Sequence, residues 1–513
     1  MGRRRYVRLL VVGALLAFVA YRLPVSKGRT EENNPTEHEM SVAFSTYVGG
    51  SRQDSIRDIA VDREGNVYIT GGTESSDFPV TAGAYDTSFN GRHDAFVTKV
   101  SPEGKVIWST FIGGPNYDRA YAIEVDAKGY VYVAGRAGAG FPVTGSAFQK
   151  RFMGGQESPR YGPQDGFVLK LTPDGSSLVW ASYFGTSDPE IIRDLDIDRD
   201  GNVYIVSGYD PTKATAVPPG WSEWFAKAFQ KFPQGGKDKV VAKIAPDGSR
   251  VLWATFLGGS KDEGGGPTIR VDSRGYPYVF TNTLSANMPT TPGAYDRTHN
   301  GGFDAYVAKL TPDGSGLVYG TYLGGSRDDG PADTHGGAVD AEGNAYVSGY
   351  TFSNDFPTTP GVLRRKGGNS NKVADSFTSK LSPDASHLIS STYYGAGEGV
   401  AVDFFGNVYF TGGSIKLDYP VTTYAFQKKL KGIENGIVAK LSADFSRFLY
   451  ATYMGGTMAR RYNEGFRAIA IDWNSNIYAA GITESKDWPI LKAFQASHAG
   501  DWDGVLVKFA FRR

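Results

Sequence analysis

Five charged residues stand where a neutral pattern is otherwise kept. Asp58, Glu124, Asp194, Asp196 and Arg270 lie two or four places before an Asp that recurs along the chain. In most other copies those places hold small neutral residues, as at Ala338 and Gly336, Ala401 and Gly399, and Ala470 and Ala468. The places one and three before the Asp are apolar, as at Val61 and Ile59 or Val125 and Ile123, so the charges share one face of a strand. Carboxylates and a guanidinium brought together out of water must pair, meet water, or take a cation or ligand. A second set lies on long connections: Trp221 and Trp224 on one, Arg160 and Tyr161 on another. Aromatics so placed can stack on sugars or dock a partner, and they can equally pack a short helix onto the scaffold. These nine residues are the candidate ligand-binding set.

Other chemistries find less support. Asp196, Asp198, Asp200 and Gly201 open like a calcium loop, but Ser207 stands at the twelfth position, where that loop needs a Glu, and strand-like sequence flanks the run. Calcium is the one ion the sequence suggests, and no cofactor is otherwise expected. The six His residues form no metal spacing; His93 and His299 read as matching loop positions before a strand. No GxSxG elbow is present, and Gly264, Gly265, Gly266 and Pro267 lack the Lys-Ser/Thr of a phosphate loop. Zero cysteines exclude a disulfide, a thiolate metal site and a catalytic thiol. Lys+Arg and Asp+Glu are both 54, a balance that gives no sign of nucleic-acid binding.

The elements that must position these residues come from a repeat. DREGNVYITG, beginning at Asp62, recurs from Asp126, Asp198, Asp272, Asp340, Asp403 and Asp472, roughly 70 residues apart. Each copy reads as a hairpin with a Gly at the turn, except the seventh, where Ser475 predicts a slightly different turn. A third strand of the type DAFVTK (Asp94–Lys99) and a fourth of the type WSTFIGG (Trp108–Gly114) follow. A Tyr in every second strand, a Lys ending every third strand and the turn Asp itself are read as packing, pairing and turn residues. Four strands in seven units predict an all-β, seven-bladed β-propeller. The stretch Phe44–Gly50 is an orphan fourth strand, and the last copy stops after its third strand, Gly504–Phe511. The N-terminal strand is therefore expected to complete the last blade and close the ring.

The GG-rich strand end, the VDxxGNxY hairpin, the FPxT-x-GAY loop at Phe78–Tyr85 and the DAFVxKL-x-P-x-G run resemble the SBBP repeats, a family of seven-bladed propeller repeats, over residues 44–511. Blade 3 departs with Val217-Pro218-Pro219-Gly220-Trp221 in place of FPxT, and blade 4 lacks the Gly after its second strand. The resemblance implies a bacterial or archaeal envelope protein and no single activity.

Arg3, Arg4, Arg5 and Arg8 precede an apolar run from Leu9 to Tyr21, the layout of an export signal. Phe18 stands two places before Ala20, which spoils a small-x-small cleavage site, so a cleaved signal and an uncleaved membrane anchor stay open. The expected organisation is a signal or anchor over 1–26, a polar spacer over 27–40 and the propeller over 41–513. In such a propeller the short turns share one face and the long connections the other, and binding is expected on the long-loop face at the channel mouth near blades 2–4. The expectation is an exported, cell-surface, periplasmic or extracellular binding scaffold whose partner is an envelope glycan, polymer or protein. A polymer-active hydrolase or lyase and a structural surface-layer or adhesion part are the alternatives.

Overall fold

The computed structural model describes residues 38–333, 335–368, 374–395, 397–457 and 464–511; the signal or anchor and most of the spacer lie outside them. Among the described residues, no helix is long and apolar enough to cross a membrane.

Seven antiparallel sheets make the seven blades of a propeller, each built on four strands. The inner strands are Asp54–Val61, Arg119–Val125, Ile192–Ile197, Thr268–Val271, Gly337–Val339, Gly399–Val402 and Gly465–Ile471 for blades 1 to 7. In blade 5 a second short strand, Asp329–Pro331, shares that inner edge. The ring closes as the repeat phase requires: Met40–Val48 pairs antiparallel with Asp503–Phe511, from Val48 opposite Gly504 to Met40 opposite Phe511. This pairing covers both strand edges that an open array would leave bare.

Each hairpin is tied by its own Asp. The Asp62 carboxylate accepts from the Asn66 backbone and side-chain amides at 2.8 Å each and from the Tyr68 hydroxyl at 3.0 Å. Lys99 lies 3.8 Å from the same carboxylate and over the Tyr68 ring. The Asp–Tyr–Lys unit recurs from blade to blade, with Lys–Asp distances of 3.0 Å in blade 3 and 3.4 Å in blades 4 and 6. In blade 7, Lys508 lies over Tyr478 and donates to the Pro102 carbonyl instead. The lysine row is thus spent inside the blades. At the seventh turn the expected difference does not occur. Ser475 takes φ 58°, and its amide bonds the Asp472 carbonyl at 2.8 Å, as Gly65 bonds Asp62 at 3.0 Å. The hairpin ladder holds a non-glycine residue in the left-handed region.

The apolar core lies between neighbouring blades. Ala60, Tyr68, Val97 and Trp108 of blade 1 pack with Ile123, Val133 and Leu169 of blade 2. Outer-strand tryptophans stitch one blade to the next, with Trp108, Trp180 and Trp253 donating to the carbonyls of Pro173, Pro246 and Pro312. Each buried aromatic of this kind contributes about 2–3 kcal/mol of apolar burial.

Candidate functional site

The inner strands do not keep a period of two along their whole length. Register shifts fall between Ile56 and Asp58, Ala120 and Ala122, Ile192 and Asp194, and Phe466 and Ala468. The extra residue in each case stands five places before the turn Asp: Arg57, Tyr121, Arg193 and Arg467. A bulge turns its extra side chain toward the same face as the next residue. The residues at this place therefore join the charged face that the alternation already defines. Blades 5 and 6 carry His335 and Glu398 at the same place.

Toward the short-turn face, the carboxylates clasp the next blade. Asp58 accepts from Ile59 of its own strand at 2.7 Å and from Ile123 of blade 2 at 2.8 Å. Asp194 accepts from Leu195 and from Ile269 of blade 4, both at 3.0 Å. Asp196 accepts from Ile197 and Val271 at 2.7 Å each. Inner-edge N–H groups that no strand can pair are satisfied in this way. Arg270 donates to Asp194 at 2.6 Å. Burial raises the Asp196 carboxyl to about 6 against the pull of Arg270. Burial and the Asp196 charge push Glu124 well above the ordinary carboxyl range. The structure thus brings Asp58, Glu124, Asp194, Asp196 and Arg270 into one network, as their shared strand face implies.

His335 completes it from across the axis. Its Nε2 lies 3.3 Å from Asp58 and its Nδ1 3.4 Å from Asp194. It sits at φ 55°, buried, with its carbonyl accepting from Val400 of blade 6 at 3.0 Å. Burial opposes the charge, but the two carboxylates win and raise the imidazole above its ordinary value. Burial likewise opposes the Asp194 charge, but Arg270 and His335 hold its carboxyl below the usual range. The loop carrying His335 is seated on blade 4, where the Asp333 carbonyl leaves no room for a Cβ at Gly266. That fit requires glycine at 266.

Asp58, Asp194 and His335 also form the one group, among the described residues, whose ligand atoms lie close enough for a metal ion, all within 4.8 Å. Each carboxylate faces a different ring nitrogen, however. That arrangement suits a protonated imidazole clamped between two carboxylates; a metal would need both acids turned to one nitrogen. In the calcium-like run, the Asp198 carboxylate is taken by Asn202, Tyr204 and Lys243 of its own blade.

Toward the long-loop face the charge reverses. Tyr121, buried, has the guanidinium carbons of Arg193 at 4.8 Å, Arg119 at 5.4 Å and Arg136 at 5.7 Å from its ring centre. Arg119 and Arg136 stand opposite each other across two strands of blade 2. Burial alone would raise the Tyr121 phenol, but Arg119, Arg136, Arg193 and Arg57 bring it down to about 8. Burial, then Arg119 and Arg467, lower Arg57 to about 9. His93 is held neutral by burial and by Arg119 and Arg136, and its ring stacks on Tyr117 at 4.3 Å. His93 is a buried channel-side residue, not the counterpart of His299. His299 and His498 are the matching pair, each bonded to the end of a second strand, at Thr283 and Thr483.

The loop candidates divide. Tyr161 lies on Arg136 at 3.8 Å and so joins the channel mouth, with exposed Arg160 beside it. Trp221 and Trp224 form the single turn of helix in the described chain and pack among Phe184, Tyr209 and Phe225, away from the mouth. Trp224 is buried. Well-exposed aromatics occur on short turns, at Phe404, Phe405 and Trp473, and on the long connection of blade 3, at Phe232. A separate cleft of about 650 Å³ opens between blades 5 and 6, but its Asp375 is already met by Arg364 at 3.2 Å and Lys416 at 2.5 Å.

Among comparisons with known proteins, a family model agrees with the repeat. The family described as SBBP, beta-propeller repeat, matches residues 43–79 and 107–142, so the SBBP repeat is shown at two places in the chain. The regulatory protein FlaEY of Caulobacter vibrioides is 24% identical over 350 residues, which are 64% of this chain and 34% of that one. The chain thus spans about a third of that relative. Among solved structures, a quinohemoprotein alcohol dehydrogenase from Comamonas testosteroni is 11% identical with a TM-score of 0.42, covering 92% of this chain and 76% of its own. The polysaccharide lyase Uly1 is 9% identical with a TM-score of 0.43, covering 93% and 99%.

Proposed function

We propose, for a propeller carrying SBBP repeats, that the chain is an exported, envelope-associated binding scaffold whose ligand seats at the long-loop mouth of the central channel. The ligand is a glycan, another envelope polymer or a protein. The observation that carries this reading is the set of strand bulges that turn Arg57, Tyr121, Arg193 and Arg467 into the channel just below the long loops. Bulges break a ladder and cost pairing, so four of them aimed at one rim support a site more readily than a packing need. The basic, apolar start of the sequence supports export and a membrane contact through that segment.

A polymer-active lyase or hydrolase is the second reading, and Tyr121 favours it. A phenol brought near neutral pH by guanidinium groups is suited to proton transfer. One experiment separates the two. Envelope glycans and polymers are arrayed, retention by the full chain is measured, and each retained ligand is then tested for turnover. Retention without turnover, weakened by Tyr161→Ala, is expected. Turnover abolished by Tyr121→Phe would install the enzyme reading, and retention indifferent to every mouth variant would move the site elsewhere.

A further inference from the structure

The channel mouth gathers several guanidinium groups, and those of Arg57 and Arg193 meet no acidic side chain among the described residues. Arg57, Arg119, Arg136 and Arg193 all act on the single phenol of Tyr121. The seven-fold scaffold does not demand this. The blade 1 residues matching Arg119 and Arg136 are Ser55 and Gly72, which pair with one another in the same register. Like charges opposed across strands are destabilising, and removing them from water makes this worse.

Three acidic groups of the inner strands are engaged elsewhere. Glu398, at the same ring level, pairs with Arg467. Asp194 and Asp58 are turned toward His335 and the backbone. Arg119 donates to the neutral hydroxyls of Ser55 at 2.9 Å and Tyr117 at 3.4 Å. The Nε atoms of Arg57 and Arg119 are buried without a hydrogen-bond partner. Neither Arg57 nor Arg193 makes a hydrogen bond or an ion pair with any described residue. Lys239, in the neighbouring wall, is lowered to about 8 by burial and by Arg193, although Glu263 pulls the other way. Arg119 runs the other way, against burial and Arg136, raised by Tyr121 and Tyr117.

We propose that this mouth is an oxyanion site, in which Arg57, Arg119 and Arg193 take a carboxylate or sulfate group of the ligand beside the Tyr121 ring. Planar guanidinium forks match both groups with paired hydrogen bonds, and a low-dielectric rim strengthens them. The Tyr161 ring on Arg136 supplies an adjacent flat apolar face, so an acidic sugar unit of a polymer fits the whole rim. This identification rests on the long-loop mouth being the binding place.

The test uses the full chain at low ionic strength. Galacturonate, inorganic sulfate and galactose are titrated calorimetrically into wild type, Arg57→Gln and Arg193→Gln, and each protein is also melted without ligand. Galacturonate is expected to bind and galactose not to bind. Sulfate binding as tightly as galacturonate would point to a sulfate ester as the natural group, and weaker sulfate binding to a carboxylate. Each substitution is expected to weaken the bound anion about tenfold, the loss of one charge-assisted contact. Without ligand, both variants are expected to melt at or above the wild-type temperature, because a repelling charge has gone. Absence of anion binding by wild type, binding unchanged in both variants, or a clear loss of unliganded stability in both would overturn the proposal. If a neutral glycan is instead retained and lost only in Tyr161→Ala, the binding face stands and the oxyanion site falls.

Discussion

His335 of blade 5 reaches Asp58 of blade 1 at 3.3 Å and, through its other ring nitrogen, Asp194 of blade 3 at 3.4 Å. One side chain thus ties three non-adjacent blades across the axis. Its raised ionisation means that its stabilising charge is fully present below the ordinary value of 6.5 and is lost as pH rises through the higher folded-state value. His335→Gln should therefore cost about 2–4 kcal/mol near pH 6.5, where the ring is charged and Asp58, raised to about 6 by burial, is still ionised. The cost should shrink as pH rises through the higher folded-state value of the ring. Urea unfolding of both proteins across that range measures it, and an equal difference at both ends would refute the bridge.

Tyr121 predicts the opposite slope. Its phenol ionises near 8 in the fold, below the ordinary 10.0, so the fold favours the phenolate. Stability from this group grows as pH rises from 8 to 10.0 and is absent below. A spectrophotometric titration should show one tyrosine ionising near 8 that disappears in Tyr121→Phe. Arg193→Gln should move that midpoint upward by about one unit, since an approaching cation is removed.

Ser475 occupies a left-handed turn that its six counterparts give to glycine. Ser475→Gly should raise stability by about 0.5–1 kcal/mol, the relief of backbone strain less the added freedom of the unfolded chain. Gly65→Ser, the reverse change at an equivalent turn, should lower it. Thermal melts of the two single variants suffice, and changes of the same sign would contradict the shared turn geometry.

Ring closure is tested at Tyr47 and Phe44, both buried in the closing strand. The Tyr47 hydroxyl donates to Ser485 at 2.9 Å and accepts from the Trp488 amide at 3.1 Å, so the strand is bound to blade 7 by side chains as well as by its ladder. Phe44→Ala should cost about 3–5 kcal/mol, the range for a large core truncation. Removal of residues 1–50 should leave Asp503–Phe511 as a bare edge and yield aggregation in sedimentation experiments. A truncated chain that stays monomeric and melts like the intact one would refute closure.

Much of this architecture is legible in the residues because the repeat supplies its own comparison. Seven Asp–Tyr–Lys units and one orphan strand determine the blade count and the closing partner. The channel is only half legible. Counting alternate residues back from the turn Asp finds Asp58, Glu124, Asp194, Asp196 and Arg270, which do converge. It passes over Arg57, Tyr121, Arg193, His335 and Arg467, because alternation assigns the fifth place to the opposite face. The bulge overturns that assignment. A signal was nevertheless present, since the fifth place is the most chemically varied in otherwise uniform strands. Trp221 and Trp224 were ambiguous for another reason: an aromatic pair on a long loop has the same sequence whether it faces solvent or folds back onto Phe184 and Phe225.

The pairing of Met40–Val48 with Asp503–Phe511 also governs how the molecule is made. Almost the whole propeller must be synthesised between one strand and its partner, so blade 7 cannot assemble while the ribosome is still at work on blades 1 to 6. During that interval the early strand is an adhesive edge with nothing of its own to hold, and the loop to be closed is as long as the domain. The last strand to emerge is the one that locks the ring.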